Sequence, residues 1–212
     1  MPTMSPLRFL LGPLVLALVL GLGAGCGGDA PERASSGLTP EELEREVRRA
    51  DSLNRDVPYV PTSMPVVDRM LELAEVTADD VVYDLGSGDG RIPIRAAQQY
   101  DARGVGIEID EALVEEARQK ADSAGVADRV TFRHEDLFNA SISEATVVTL
   151  YLLPTINLRV RAKLFEELAP GARVVSHDFA MGDWPHEERV EVDGATLYRW
   201  TIPEERPARL QQ

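Results

Sequence analysis

Cysteine is almost absent: the 212 residues contain one, Cys26, close to the N-terminus. A single thiol excludes an internal disulfide and a thiolate metal cluster, and its position outside the core region argues against a cysteine nucleophile. Histidine is scarce as well. His134, His177 and His186 show no i, i+4 spacing that would bring two rings to one helix face, so no metal site is expected. Positive charge is in deficit, with 22 Lys and Arg against 36 Asp and Glu and a net charge of −14. Proteins that grip DNA or RNA carry a basic face to neutralise phosphates, so nucleic acid is not an expected partner. A basic protein or peptide suits the acidic balance better.

A long apolar run is present only at the start of the chain. Phe9 to Ala24 is almost wholly apolar, interrupted by Gly12 and Pro13, and is short for a span, which needs about 20 residues. It has the form of a signal peptide or a membrane anchor. Gly23-Ala24-Gly25-Cys26 follows and resembles a bacterial lipobox, which makes Cys26 a candidate for lipidation and the protein a candidate membrane-associated lipoprotein. One arginine on each side, Arg8 and Arg33, leaves the side of the membrane open. The division expected is 1–26 leader, 27–38 flexible linker, 39–203 one folded domain with N-terminal helices over 39–76, and a 204–212 tail.

The domain is organised around Val81-Val82-Tyr83-Asp84-Leu85-Gly86-Ser87-Gly88-Asp89-Gly90-Arg91. Apolar residues, an acid and then alternating glycines read as a buried strand, a tight turn and the helix Ile92 to Tyr100. Glycines 86, 88 and 90 allow positive φ and close approach of a ligand, and their N–H groups suit a negatively charged ligand group. The spacing is G-x-G-x-G rather than the dinucleotide G-x-G-x-x-G.

Thr39-Pro40-Glu41-Glu42 reads as a capping box with proline at the first helical position. The next helix is expected from Met64 to Ala74. Before it, Tyr59-Val60-Pro61-Thr62-Ser63 is stiff and extended, and is placed either as a lid over the glycine turn or as an arm closing a sheet edge. Gly104 to Asp110 is a second strand ending in acids, and Glu108 at its end can accept from both hydroxyls of a ribose. Asp110 caps the helix Glu111 to Ser123. Val130 to His134 is a third strand. Asp136 just beyond it can accept from an adenine amino group, with Leu137 or Phe138 against the ring. Strands follow at Ala145 to Leu150 and Arg173 to Ser176, with a helix from Asn157 to Leu168 between them. Arg189–Val192 and Thr196–Thr201 flank Asp193-Gly194, a hairpin turn. The pattern gives an α/β fold, a Rossmann-like doubly wound and mostly parallel sheet with a C-terminal antiparallel hairpin. Its ligand should lie beyond the carboxyl ends of the strands, where Asp84, Glu108, Asp136, Tyr151 and Asp178 all fall.

From Tyr59 to about Pro203 the chain resembles class I methyltransferases that use S-adenosylmethionine (SAM). The resemblance is carried by Tyr59-Val60-Pro61-Thr62, by Asp84 to Arg91, by Gly104 to Glu108, by Tyr151-Leu152-Leu153-Pro154, and by Pro170 to Ser176 running on to Asp183-Trp184. More narrowly, it is similar to bacterial relatives of the mitochondrial protein-lysine methyltransferases that modify ATP synthase subunit c and the adenine nucleotide translocase. The resemblance implies SAM as cofactor and transfer to a protein lysine. It implies Tyr59, Thr62, Asp84, Gly86, Ser87, Gly88, Gly90, Glu108, Asp136 and Leu137 as cofactor-binding residues. Tyr151 and Asp178 are candidates for orienting the amine, and Leu152, Pro154, Phe179 and Trp184 for an apolar substrate channel, with Trp184 equally readable as a core aromatic. Two other readings stand beside this one: a small-molecule N- or O-methyltransferase, and a non-catalytic lipoprotein with the SAM fold.

Overall fold

The computed structural model describes residues 39, 41, 42, 45 and 59–205. The leader, Cys26, the linker, most of the first helix and the end of the tail lie outside the described residues. Of the capping box, Thr39 and Glu42 are described and bond reciprocally: the Glu42 amide donates to Thr39 Oγ1 at 3.3 Å and the Thr39 amide donates to Glu42 Oε2 at 2.8 Å.

Over residues 59–205, four helices and seven strands follow in the order α1 (Met64–Leu73), β1 (Val81–Leu85), α2 (Arg91–Tyr100), β2 (Arg103–Glu108), α3 (Glu111–Ala124), β3 (Val130–His134), β4 (Val147–Leu150), α4 (Pro154–Glu167), β5 (Arg173–His177), β6 (Glu188–Val192) and β7 (Ala195–Thr201). They form one seven-stranded sheet in the order β3-β2-β1-β4-β5-β7-β6. The first five strands are parallel; β7 runs antiparallel to β5 and to β6. This is the class I methyltransferase architecture, with the chain reversing its direction of winding between β1 and β4.

The apolar pattern of β1 explains the two faces. All five of its residues are buried, as expected of a strand covered on both sides. Val82 points into a cluster with Val66, Met70, Leu71 and Ile92 from α1 and α2; Tyr83 and Leu85 point into the opposite cluster with Val160, Leu164 and Trp200. Truncating a fully buried Leu164 to alanine in such a layer costs about 2–5 kcal/mol.

The boundaries shift for identifiable reasons. Helix α4 starts at Pro154 rather than at Asn157, because a proline without an N–H fits the first helical position. Asp110 caps α3 as expected, its side chain accepting from the Ala112 amide. Asp193 and Gly194 have φ values of 50° and 81°, the left-handed pair that a tight two-residue hairpin requires. At the end of the sheet away from the glycine turn, Asp80 accepts from Thr146 Oγ1 at 2.6 Å and from the Thr77 amide at 2.8 Å, and pairs with Arg173. That knot fixes the lower edge and leaves the carboxyl ends of the strands open.

Candidate functional site

A crevice of about 240 Å³ lies over the carboxyl ends of β1, β2 and β4. It is lined by Tyr59 and Thr62 before α1, by Asp84, Gly86 and Ser87 at the end of β1, by Glu108 at the end of β2, by Asp136, Leu137 and Phe138 after β3, and by Tyr151 and Leu152 after β4. Parallel strands place all their carboxyl ends on one edge, and the switch of winding opens the cleft there.

Asp84 is buried beneath the crevice and accepts from Thr149 Oγ1 at 2.7 Å. Burial, added to by the nearby negative charges of Glu108 and Asp89, pushes its carboxyl up to about 7. A cationic ligand group would relieve that cost. Glu108 is held by three amides: Oε1 accepts from Ile109 and Asp110 and Oε2 accepts from Gly88, each at 2.9 Å. Its orientation is therefore fixed while its edge still lines the crevice.

The glycine turn departs from the expected cradle of bare amides. The Gly86 and Ser87 amides donate to the Ile107 carbonyl, Gly90 donates to the Ser87 carbonyl and Gly88 donates to Glu108. The turn closes on the end of β2, so these four donors are already committed. What the glycines contribute is space. A Cβ on Gly88 would stand 2.3 Å from Tyr59 Cε2, and one on Gly90 would stand 2.6 Å from the Phe132 ring. Gly88 and Gly90 lie under Tyr59 and Phe132 and are not part of the crevice lining. Ser87 Oγ, by contrast, is buried, lines the crevice and has no partner within the protein.

Asp89 and Arg91 line the crevice without having been anticipated. Arg91 chelates Asp89 through Nε and Nη2 at 2.8 Å, and its Nη1 donates to the Thr62 carbonyl at 2.6 Å. Lys120 from α3 reaches Asp89 at 2.6 Å. Burial works against ionisation of Asp89, but the hydrogen bonds from Arg91 and Lys120 outweigh it and hold the carboxyl at about 2. The latch ties the Tyr59–Thr62 strap across the glycine turn, which decides the lid-or-arm alternative in favour of a strap over the turn. A charged D-x-R pair next to glycines was the available sequence signal for it.

Beyond β4 and β5 the candidates divide. Tyr151 stacks on His177 with ring centroids 3.8 Å apart, and Phe179 lies 6.4 Å from Tyr151. Asp178 has φ 61°, accepts from the Thr196 amide at 2.9 Å and approaches His177 Nε2 at 3.5 Å. Pro154 opens α4 with an exposed ring and does not line the crevice. Trp184 is a core aromatic: it is 6% exposed, packs 4.5 Å from Phe165 and 5.6 Å from Trp200, and its carbonyl accepts from Trp200 Nε1. The aromatics of α4 and β7 that bury it are distant in sequence, so the local sequence leaves its two readings level.

These residues fit SAM on their own chemistry. Asp84 has a raised carboxyl suited to an ammonium, Glu108 is a fixed acceptor, Ser87 has an unused hydroxyl, and Leu137 and Phe138 offer an apolar edge for a ring.

Residues 84–188 match the family model of the ANTKMT methyltransferase domain. A protein-lysine N-methyltransferase of Saccharolobus islandicus is 45% identical over 153 residues, 70% of this chain and 95% of that protein. The adenine nucleotide translocase lysine N-methyltransferase of Mus musculus is 37% identical over 132 residues, covering 62% of this chain and 57% of the mouse protein. A crystal structure of an RNA methyltransferase from Salinibacter ruber in complex with S-adenosyl-L-homocysteine is 65% identical, with a TM-score of 0.71 over 72% of this chain and 100% of that one. The chain belongs to this family, and it is a SAM-dependent methyltransferase.

Proposed function

We propose that the protein methylates the side-chain amine of a lysine in a protein, and that its N-terminal segment holds it at a membrane. The observation that carries the acceptor assignment is the 45% identity to the Saccharolobus protein-lysine N-methyltransferase, of which this chain covers 95%. The net charge of −14 supports it, since a lysine-bearing segment is drawn to an acidic surface. The kinship to a Salinibacter RNA methyltransferase favours a second reading, transfer to RNA. Against that reading stand the net charge of −14 and the pairing of Arg91, Arg95, Lys120, Arg161, Lys163, Arg173 and Arg199 to carboxylates.

Asp84, Ser87, Glu108, Asp136 and Leu137 are the residues proposed to hold SAM, which supplies an electrophilic methyl group on a sulfonium. The acceptor enters beside Tyr151 and Leu152. A lysine must first become neutral, which costs about 4.6 kcal/mol at pH 7 from a free pKa of ~10.4. The Leu152, Tyr151 and Phe179 surfaces lower that cost by withholding water from the ammonium. Alignment then does most of the remaining work.

The test is incubation of the full chain with methyl-labelled SAM and, separately, a membrane extract, total RNA and a small-molecule extract. Label in a protein band, lost with Asp84→Ala and recovered as methyl-lysine after hydrolysis, is the expected result. Label confined to RNA or to small molecules overturns the lysine reading.

A further inference from the structure

His177 is fully buried at the end of β5, beside the crevice-lining Thr62 and Tyr151. Its Nδ1 lies 3.1 Å from Thr62 Oγ1, and its Nε2 lies 3.5 Å from Asp178 Oδ2 with no closer partner. Thr62 lines the crevice. The three side chains therefore form a line from the cavity through the buried ring to a part-exposed carboxylate: a hydroxyl, an imidazole and a carboxylate. This is the order in which a hydroxyl, a base and an orienting acid are arranged when a proton has to be moved.

We propose that Thr62, His177 and Asp178 form a proton relay that drains the acceptor amine. The proposal rests on the lysine reading. In the resting state His177 is neutral, carries its proton on Nε2 facing Asp178, and accepts from the Thr62 hydroxyl at Nδ1. An ammonium bound over Thr62 gives one proton to Oγ1 as the Thr62 proton passes to Nδ1. The nitrogen lone pair so freed forms the N–C bond with the methyl group while the C–S bond breaks and leaves its electron pair on sulfur. The imidazolium is paired with Asp178 and later releases its proton to solvent.

The surroundings match this use. Burial lowers the imidazole below its usual value, against the pull of Asp178, so the ring is neutral and able to accept at neutral pH. The strap contributes the neutral Thr62 and the β4 end contributes the Tyr151 phenol, stacked on the ring. Strand β7 contributes Leu197, the register partner of His177. The charge acting on the ring is that of Asp178. Asp178 is itself fixed, since its left-handed backbone is tied to β7 in both directions: its amide donates to the Thr196 carbonyl at 2.7 Å and its carboxylate accepts from the Thr196 amide.

Two measurements on the full chain decide it. The first is ring-nitrogen NMR of ¹⁵N-histidine protein from pH 5 to 9, with His177→Gln to assign the signals. The expected spectrum is a neutral ring protonated at Nε2 that titrates below the ordinary histidine range, with a Nδ1 shift that changes in Thr62→Val and not in Thr62→Ser. A ring protonated at Nδ1 overturns the relay, whether or not an acceptor has been found. The second is turnover with the membrane extract of the preceding test. Thr62→Val should lose about 10²-fold in kcat, while Thr62→Ser stays near wild type and S-adenosylhomocysteine affinity changes far less than kcat. The acid limb of the wild-type rate profile should move in Asp178→Asn. Wild-type turnover in Thr62→Val overturns the relay and leaves the lysine reading standing; absence of labelled lysine in the wild type removes the reading and leaves the NMR result to judge the array.

Discussion

At the scale of single residues, the site is maintained at a cost to stability. Asp84 is the clearest case. Its ordinary value of 3.8 becomes about 7 in the fold, chiefly through burial. A raised folded-state value means that the stability contributed by the protonated form is complete below about 3.8 and is lost as pH rises through about 7. Asp84→Asn should therefore melt higher than wild type, by an increment that grows between pH 5 and pH 7 and levels off above it, while binding cofactor worse. Thermal melts across that range check the sign; an increment that shrinks with pH contradicts the buried-charge account. Gly106 is a second case and was not legible from the sequence. A Cβ there would stand 2.5 Å from Ser87 Oγ and 2.6 Å from Phe132 Cδ1. Overpacking of this kind costs about 1–3 kcal/mol, so Gly106→Ala should lower the denaturant midpoint accordingly and disturb the turn beside it. In Gly104-Val105-Gly106 the two glycines look alike as letters; only the partners across the sheet say what each one makes room for.

Among the elements, the strap before α1 is the part that the site borrows from outside the sheet. Tyr59 lies over Gly88, and Arg91 holds the Thr62 carbonyl while chelating Asp89. Replacing Arg91 by methionine keeps the stem and removes both bonds. Amide exchange at residues 59–62 should speed up, and affinity for S-adenosylhomocysteine should fall by about tenfold, the worth of one charge-assisted hydrogen bond. Unchanged exchange at those residues would mean that packing alone secures the strap. The strands and helices themselves were readable because each carries its own pattern: continuous apolar runs for buried parallel strands, Asp110 as a cap, Asp193-Gly194 as a turn. What a chain cannot print is where the turn amides go. Gly86, Ser87, Gly88 and Gly90 looked available to a ligand, and the end of β2 takes them instead, through the Ile107 carbonyl and the Glu108 carboxylate. Trp184 and His177 went unresolved for the same reason, since both owe their environment to residues that arrive from other strands and helices.

For the whole molecule, charge and the proposed tether would decide what the crevice meets. The wound sheet brings Asp84, Ser87, Glu108, Asp136, Tyr151 and Leu152, drawn from the carboxyl ends of four strands, to one opening, and that convergence was foreseeable from alternating strands and helices. The apolar run that ends before Cys26 is proposed to hold the domain at a membrane; Cys26→Ala should shift the protein from the membrane fraction to the soluble fraction, and a lipid probe should label the wild type alone. The central claim is that the cofactor lies across the carboxyl edge of the sheet with its cationic group on Asp84. Calorimetric titration of S-adenosylhomocysteine into the full chain from pH 6 to pH 8 tests it most directly. Wild-type affinity should rise with pH through about 7, as the Asp84 carboxyl ionises, and Asp84→Asn should bind about 10- to 100-fold more weakly at pH 8 with that rise abolished. Equal affinity of the two proteins at pH 8 would contradict the account.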